Sequence, residues 1–143
     1  MKRLHSSLPD RIERLATQIV DACYTVHREM GPGLLESVYE DCLCREFNLR
    51  RMPFGRQVPV PLKYKGAEIA SPLRLDLLVD DTIILELKCV HTLEPVHEAQ
   101  ILSYLRLASK PLGFLVNFHV QNIGSGIRRY VMSGNNPPNS EHN

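Results

Sequence analysis

Tryptophan is absent from this chain of 143 residues, and aromatic residues make up only 6% of it. Aliphatic side chains must therefore fill most of the core. The four cysteines are Cys23, Cys42, Cys44 and Cys89. They form no CxxC pair, and no histidine follows Cys42 and Cys44 at the spacing of a zinc finger. We expect free, mostly buried thiols, which argues against a structural zinc site and a redox pair.

Long apolar runs and an excess of charge of one sign are also lacking. No stretch approaches the roughly 18–20 apolar residues needed to span a bilayer, and the N-terminal segment lacks the apolar centre of a secretory signal. The net charge is +1 at pH 7, so a surface that binds nucleic acid would have to be a local patch. These absences predict a cytoplasmic protein.

The composition that remains is that of an ordinary globular domain. Hydrophobic residues make up 43% and charged residues 23% of the sequence, and the length is sufficient for one core. The last stretch, residues 133–143, is rich in Asn, Pro and Ser. We therefore expect a single domain over residues 1–132 and a disordered tail over residues 133–143.

Apolar residues recur every three or four positions in three segments, which predicts three helices. The first runs from residue 9 or 10 to about residue 30, where Gly31-Pro32-Gly33 ends it. The second starts at residue 34 or 35 and continues through residue 47, and the third covers about residues 95–109.

Runs of aliphatic residues between turn residues predict strands. Residues 73–79 and 82–90 form a hairpin with a short acidic turn, and further strands are expected at residues 112–118 and 127–132. An extended segment over residues 57–62 contains two prolines, which confine it to a sheet edge. The order of elements predicts an α/β fold in which a mixed β-sheet with a central hairpin is flanked by helices.

The predicted hairpin contains charged residues in otherwise apolar strands. Asp76 lies before the turn, and Glu86 and Lys88 lie after it. Burying an unpaired charge costs several kcal/mol, so such groups are normally paired or bound to a metal. If the loop has three residues centred on Asp81, Asp76 lies directly opposite Glu86, whereas a two-residue loop would place Asp76 opposite Leu85, on the wrong face. Like charges opposite each other need a cation between them. Alternation of side chains places Lys88 on the same face as Glu86.

These residues suit the hydrolysis of phosphodiester bonds. Hard divalent ions such as Mg²⁺ prefer one or two carboxylates together with water and substrate phosphate. Asp76 and Glu86 would be the metal ligands, joined by the backbone carbonyl of Leu87. Lys88 would orient or deprotonate the attacking water, or stabilise the developing charge. The alternative is a buried network of ion pairs with no catalysis.

The spacing of Asp76 and Glu86-Leu87-Lys88 resembles the D…(D/E)xK signature of the PD-(D/E)xK nuclease superfamily. The run Gly33-Leu34-Leu35-Glu36-Ser37-Val38-Tyr39 resembles the motif of its GxxExxY subgroup, as do Arg74-Leu75-Asp76 and the segment from Pro95 to Tyr104. The resemblance covers about residues 10–131. Leu75 stands where the subgroup usually has a proline before its first acid.

The resemblance implies a restriction-endonuclease-like core and a metal-dependent nuclease that acts on DNA, with RNA as the alternative substrate. It implies Mg²⁺ or Mn²⁺ as cofactor, with Glu36 as a further ligand or a water-mediated partner. Gln100 would position the lysine or a phosphate, and Tyr104 would support it. A homodimer is a reasonable expectation. The competing function is a non-catalytic module of the same fold that binds nucleic acid or protein.

Single residues of this set also have simpler interpretations. Glu36 would suit the first turn of a helix, where a negative charge is favourable, and Gln100 and Tyr104 would be ordinary helix residues. A local basic patch is a candidate surface for phosphate contacts, although such a run is often only a solvated face. The residues of this patch are Arg50, Arg51, Arg56, Lys63 and Lys65.

Overall fold

The computed structural model describes residues 8–132 and, by backbone alone, residues 139–142. In this part of the chain there are three α-helices and eight β-strands. The helices are α1 (Asp10–Met30), α2 (Glu36–Leu49) and α3 (Pro95–Ala108). The strands are β1 (Phe54–Pro59), β2 (Lys63–Tyr64), β3 (Ala67–Glu68), β4 (Arg74–Val79), β5 (Ile83–Lys88), β6 (Leu112–Asn117), β7 (Ile127–Val131) and β8 (Asn139–His142). A short 3₁₀ helix, Ile123–Gly126, precedes β7.

One six-stranded sheet, in the order β1-β4-β5-β6-β7-β8, organises the fold. β5 and β6 are parallel, because α3 returns the chain to the starting end of the sheet between them. The other neighbouring strands of this sheet pair antiparallel. The predicted mixed sheet with a β4–β5 hairpin inside it is therefore confirmed.

Helices cover both faces of the sheet. α1 and α2 lie on one face, where the apolar stripe of α1 shares a core cluster with Leu85 and Phe114. α3 lies on the other face, where Leu105 shares a second cluster with Ile84. Because both faces are covered, residues 83–87 of β5 are all buried, and Glu86 is the one charged residue among them.

Tyr39 fixes the connection between α1 and α2. α1 ends at Gly31, whose φ of 68° is unfavourable for a residue with a side chain. The Tyr39 hydroxyl donates to the Gly31 carbonyl and accepts from the Leu34 N–H at 3.2 Å. The Tyr39 ring stacks on Phe118 with 4.4 Å between centroids. The tyrosine of the GxxExxY run thus has a structural role, because it joins the end of α1 to the segment that leads into α2.

The first edge of the sheet differs in detail from the prediction. β1 is an edge strand, as expected, but it begins at Phe54 and ends at Pro59 instead of covering residues 57–62. Pro59 and Pro61 have no N–H to donate, so the pairing with β4 stops near them. The chain then forms the separate β2–β3 hairpin before it enters β4.

Predictions from composition concern the cysteines and the C-terminal segment. All four cysteines are free, as predicted. Of residues 133–143, where a disordered tail was predicted, the structure describes only Asn139–His142. These four residues pair with β7, which composition does not anticipate because backbone groups make this contact. The rest of the tail lies outside the described residues. Within the described residues, no helix has both the length and the apolar character needed to cross a membrane.

Candidate active site

The β4–β5 hairpin has the register predicted from its sequence. Leu77 pairs with Leu85 across a loop centred on Asp81. The same register, continued by one residue on each strand, places Asp76 opposite Glu86. The hairpin thus brings the two acids face to face.

Next to this pair, carboxyl groups take the place of backbone carbonyls as hydrogen-bond acceptors. The Asp76 N–H donates to Glu86 Oε1 at 3.1 Å. The Leu87 N–H donates to Asp76 Oδ2 at 2.8 Å. Each strand therefore gives one backbone donor to the acid of the other strand, and the hairpin itself holds both carboxyl groups in place.

Burial perturbs the protonation of both acids. Glu86 is 2% exposed, and burial, followed by the negative charge of Asp76, raises its pKa from 4.5 to about 9. Burial also raises the pKa of Asp76, although the hydrogen bond from Leu87 N–H acts in the opposite direction. The positive charge of Lys88 lowers the pKa of both acids without offsetting burial. Without a bound cation, Glu86 is therefore protonated at neutral pH.

α3 supplies the partners of Lys88. Lys88 Nζ donates to Gln100 Oε1 at 3.0 Å, and Gln100 Nε2 donates to the Tyr104 hydroxyl at 3.2 Å. Gln100 and Tyr104 are four residues apart and so lie on one helix face. The structure thus brings together Lys88, Gln100 and Tyr104, on the α3 side of the sheet.

A comparison with known families agrees with this geometry. The family model described as the PD-(D/E)XK nuclease superfamily matches residues 13–130, which is most of the chain. The chain belongs to the PD-(D/E)XK nuclease superfamily. Comparisons with curated proteins and with solved structures give no significant match. Membership of the GxxExxY subgroup stays a prediction from the run Gly33–Tyr39.

The acid pair of this PD-(D/E)XK protein suits a divalent cation. One oxygen of each carboxyl group accepts a backbone N–H, namely Asp76 Oδ2 and Glu86 Oε1. The two carboxyl groups also share a side-chain hydrogen bond, which a cation bound between them would replace. A cation would also remove the repulsion that helps to raise the pKa of Glu86. Among residues 8–132, no group of three or more His, Cys, Asp and Glu side chains could hold a metal ion. Water and substrate oxygens would therefore have to complete the coordination of an ion bound by the acid pair.

Glu36 does not form a three-acid cluster with the acid pair of this PD-(D/E)XK site. It is the first residue of α2 and is exposed. Burial and then the charge of Glu36 raise the pKa of the Cys89 thiol to about 11, which places Glu36 close to the end of β5. Metal contact by Glu36, directly or through water, stays a prediction, and so does contact by the Leu87 carbonyl.

Glu40 is a neighbour of the site that the sequence analysis missed. It is only 8% exposed and accepts hydrogen bonds from Arg56 Nε at 2.8 Å and from Gln57 Nε2 at 2.7 Å. Its negative charge adds to the effect of burial in raising the pKa of Asp76. Gln57 lies opposite Asp76 in the register of β1 with β4. The available signal was helical spacing, because Glu40 follows Glu36 by four residues and shares its helix face.

Two of the predicted nucleic-acid contacts are engaged in ion pairs within the protein. Arg50 joins α1 to α2, and its shortest ion pair is to Glu46 at 2.7 Å. Arg56 pairs with Glu40 at 2.8 Å. Nucleic-acid contact by either arginine would have to compete with these pairs. Arg51, Lys63 and Lys65 of the predicted basic surface are exposed, and so is Arg56 despite its ion pair.

Asn117, at the end of β6, is a second residue that the sequence analysis missed. It is 2% exposed. Its Oδ1 accepts from the N–H groups of Val90 and His119, both at 3.1 Å, and its Nδ2 donates to the Val90 carbonyl at 2.9 Å. These bonds tie the segment that follows Lys88 to the neighbouring strand. The signal was a single polar residue at the end of an apolar strand.

Proposed function

We propose that the chain is a divalent-metal-dependent nuclease that hydrolyses phosphodiester bonds of DNA, with RNA as the alternative substrate. Membership of the superfamily supports this proposal. The observation that supports it most is the convergence of Asp76, Glu86 and Lys88, with Glu86 almost fully buried. A buried acid of this kind costs stability, which favours a functional reason for keeping it.

In this proposal, Asp76 and Glu86 are ligands of a Mg²⁺ or Mn²⁺ ion, and the Leu87 carbonyl is a further ligand. Glu36 is a further ligand or a water-mediated partner, and the absence of a three-acid cluster with the pair favours contact through water. When bound, such an ion would neutralise charge on the phosphoryl oxygens and lower the pKa of a bound water. Metal ligands must be deprotonated, so Glu86 has to lose its proton before it can bind the ion. The ion and the proton therefore compete for the same carboxyl group.

Lys88 is the group that we assign to the reacting phosphate. Its ammonium has three N–H donors, of which one is used by Gln100 at 3.0 Å. The others are free to contact the attacking water or a phosphoryl oxygen. As the water oxygen bonds to phosphorus and the P–O ester bond breaks, this positive charge stabilises the extra negative charge. Gln100 holds Lys88 in position, and Tyr104 holds Gln100.

Cleavage assays with single-stranded DNA, double-stranded DNA and RNA test the proposal. Cutting is expected only with Mg²⁺ or Mn²⁺, and Glu86→Ala and Lys88→Ala should abolish it. Lys110→Ala is the matched lysine control, because Lys110 pairs with Asp81 at the turn end of the hairpin, away from the acid pair. Cutting without metal, or full activity in Glu86→Ala, would refute the proposal.

The competing proposal is a binding module that keeps the fold and the acidic hairpin without catalysis. Such a module would bind nucleic acid or protein equally well in the wild type and in Lys88→Ala, and would never cut. The predicted homodimer is a separate question, which sedimentation velocity of the full chain answers.

A further inference from the structure

A second hairpin extends from the edge of the main sheet between β1 and β4. It consists of residues 60–73 and is called the arm below. The Val60 N–H donates to the Leu73 carbonyl at 3.1 Å and closes its base. Further out, β2 and β3 form a two-stranded sheet of their own. The arm is thus a projection whose strands pair with each other.

The arm leaves the sheet at the end where the acid pair lies. It directly precedes β4, in which Asp76 is the third residue. β5 runs antiparallel to β4 and therefore brings Glu86 and Lys88 to the same end. The extended chain between Asp76 and Ala67 in β3 spans at most about 30 Å. A nucleic-acid strand bound at the acid pair would pass within reach of the arm.

The tip of the arm displays an aromatic ring. Tyr64 is 63% exposed, and its cross-strand partner Ala67 is too small to cover the ring. The turn that follows has positive φ at both Lys65 and Gly66, which is typical of tight two-residue hairpin turns. This turn places Lys65 Nζ 5.4 Å from the centre of the Tyr64 ring.

Basic residues also lie along the arm. Lys63 and Lys65 flank Tyr64 in the sequence and are exposed, as is Arg74 at the base of the arm. Glu68, opposite Lys63, is the one acid among residues 60–74. Proteins that bind single strands combine aromatic rings, on which bases stack, with basic groups that contact phosphates. The arm offers both within a few residues.

We propose that the arm binds an unpaired nucleic-acid strand, with one base stacked on Tyr64 and phosphates beside Lys63 and Lys65. This inference rests on the proposed nuclease function, and it makes the form of the substrate specific. In a duplex each base is already stacked on its neighbours, so an exposed ring gains a base only where the strand is single or frayed. The substrate is therefore a single strand or an unpaired end.

Binding measurements without cleavage test this assignment. The full chain in EDTA is titrated against a labelled single strand of about 12 nucleotides, a length that exceeds the ~30 Å between the acids and the arm. The same sequence is measured as a duplex and as RNA. Tyr64→Ala should weaken single-strand binding by about 5- to 100-fold. Duplex binding should change by less than about 2-fold, because duplex contacts come mainly from charge.

Matched variants separate stacking from charge and from folding. Tyr64→Phe keeps the ring and should bind as the wild type. Tyr24→Ala removes another exposed tyrosine, 43% exposed on α1, and should also leave binding unchanged. Lys65→Ala should reduce the slope of log affinity against log salt for single strands by about 0.7, whereas Tyr64→Ala should leave that slope unchanged. Thermal unfolding of each variant confirms that the fold is intact.

Failure of the arm proposal can be distinguished from failure of the nuclease proposal. The arm proposal is overturned if Tyr64→Ala binds single strands as tightly as the wild type, if it weakens both forms equally, or if Tyr64→Phe fails as well. Absence of any binding by the wild type also overturns it. A wild type that never cuts, while Tyr64→Ala selectively loses single-strand binding, would support the arm and refute the nuclease.

Discussion

Replacing Glu86 by glutamine measures what the buried acid costs when no cation is bound. The pKa of Glu86 is raised from 4.5 to about 9 in the folded protein, whereas in the unfolded chain it is ordinary. A pH of 7 is about 2.5 units above the ordinary pKa, so Glu86 must take up a proton when the chain folds at this pH. This uptake costs about 3 kcal/mol. Glutamine is neutral in both states and similar in shape. Glu86→Gln should thus raise the free energy of unfolding by about 3 kcal/mol.

The pH dependence of this difference has a defined sign. Between about pH 4.5 and about pH 9 the folded state holds a proton that the unfolded chain has lost, so wild-type stability falls as pH rises. The slope from this group is at most about 1.4 kcal/mol per pH unit. The gap in the free energy of unfolding between Glu86→Gln and the wild type should therefore widen from about 1 kcal/mol at pH ~5 to about 3 kcal/mol at pH ~7.

Urea unfolding followed by circular dichroism, in EDTA, measures this gap. Glu29→Gln is the control, because Glu29 is exposed on α1, and its replacement should change the free energy of unfolding by less than about 0.5 kcal/mol. A gap for Glu86→Gln that stays constant between pH ~5 and pH ~7 would show that Glu86 is not held protonated. A Glu86→Gln variant less stable than the wild type at neutral pH would refute the same reasoning.

Two further predictions concern the metal and Asn117. Because an ion must displace the Glu86 proton, the Mg²⁺ concentration needed to raise Tm should fall by up to about tenfold per pH unit between pH ~7 and pH ~9; a requirement independent of pH would contradict shared use of Glu86. Asn117→Ala removes three hydrogen bonds to the backbone at Val90 and His119 and should lower the free energy of unfolding by roughly 2–4 kcal/mol. Asn48→Ala, exposed on α2, should change it by less than about 0.5 kcal/mol in the same urea experiment, and an equal loss in both variants would refute a special role for Asn117.

The main elements were predictable from sequence because each is encoded locally. The apolar stripe of α1 repeats at helical spacing, and Gly31 marks its end. The hairpin register follows from the length of its loop, so the meeting of Asp76 with Glu86 required no knowledge of the rest of the fold. The spacing of Gln100 and Tyr104 indicated a shared helix face for the same reason.

Ion pairs between distant elements could not be predicted from local periodicity or loop length. Arg50 and Arg56 belong to a basic run in the sequence, which suggested a common surface. In the structure, both pair with carboxylates that other segments bring to them: Arg50 with Asp21 of α1, and Arg56 with Glu40 of α2. Glu40 itself was missed because its burial depends on how β1 packs beside α2: the spacing from Glu36 indicates a shared helix face but not the contact with β1.

By itself, the sequence determined the three helices, the β4–β5 hairpin and the pairing of Asp76 with Glu86, because periodicity and loop length act over a few neighbouring residues. Only the tertiary structure decided which charged side chains are paired within the protein and which can contact a substrate or a metal ion. Docking of α3 gives Lys88 its partner Gln100, and packing of α2 beside β1 places Arg56 in ion pairs. The physical reason is that desolvation and charge pairing depend on distances through space, which the chain sets only once its elements have packed.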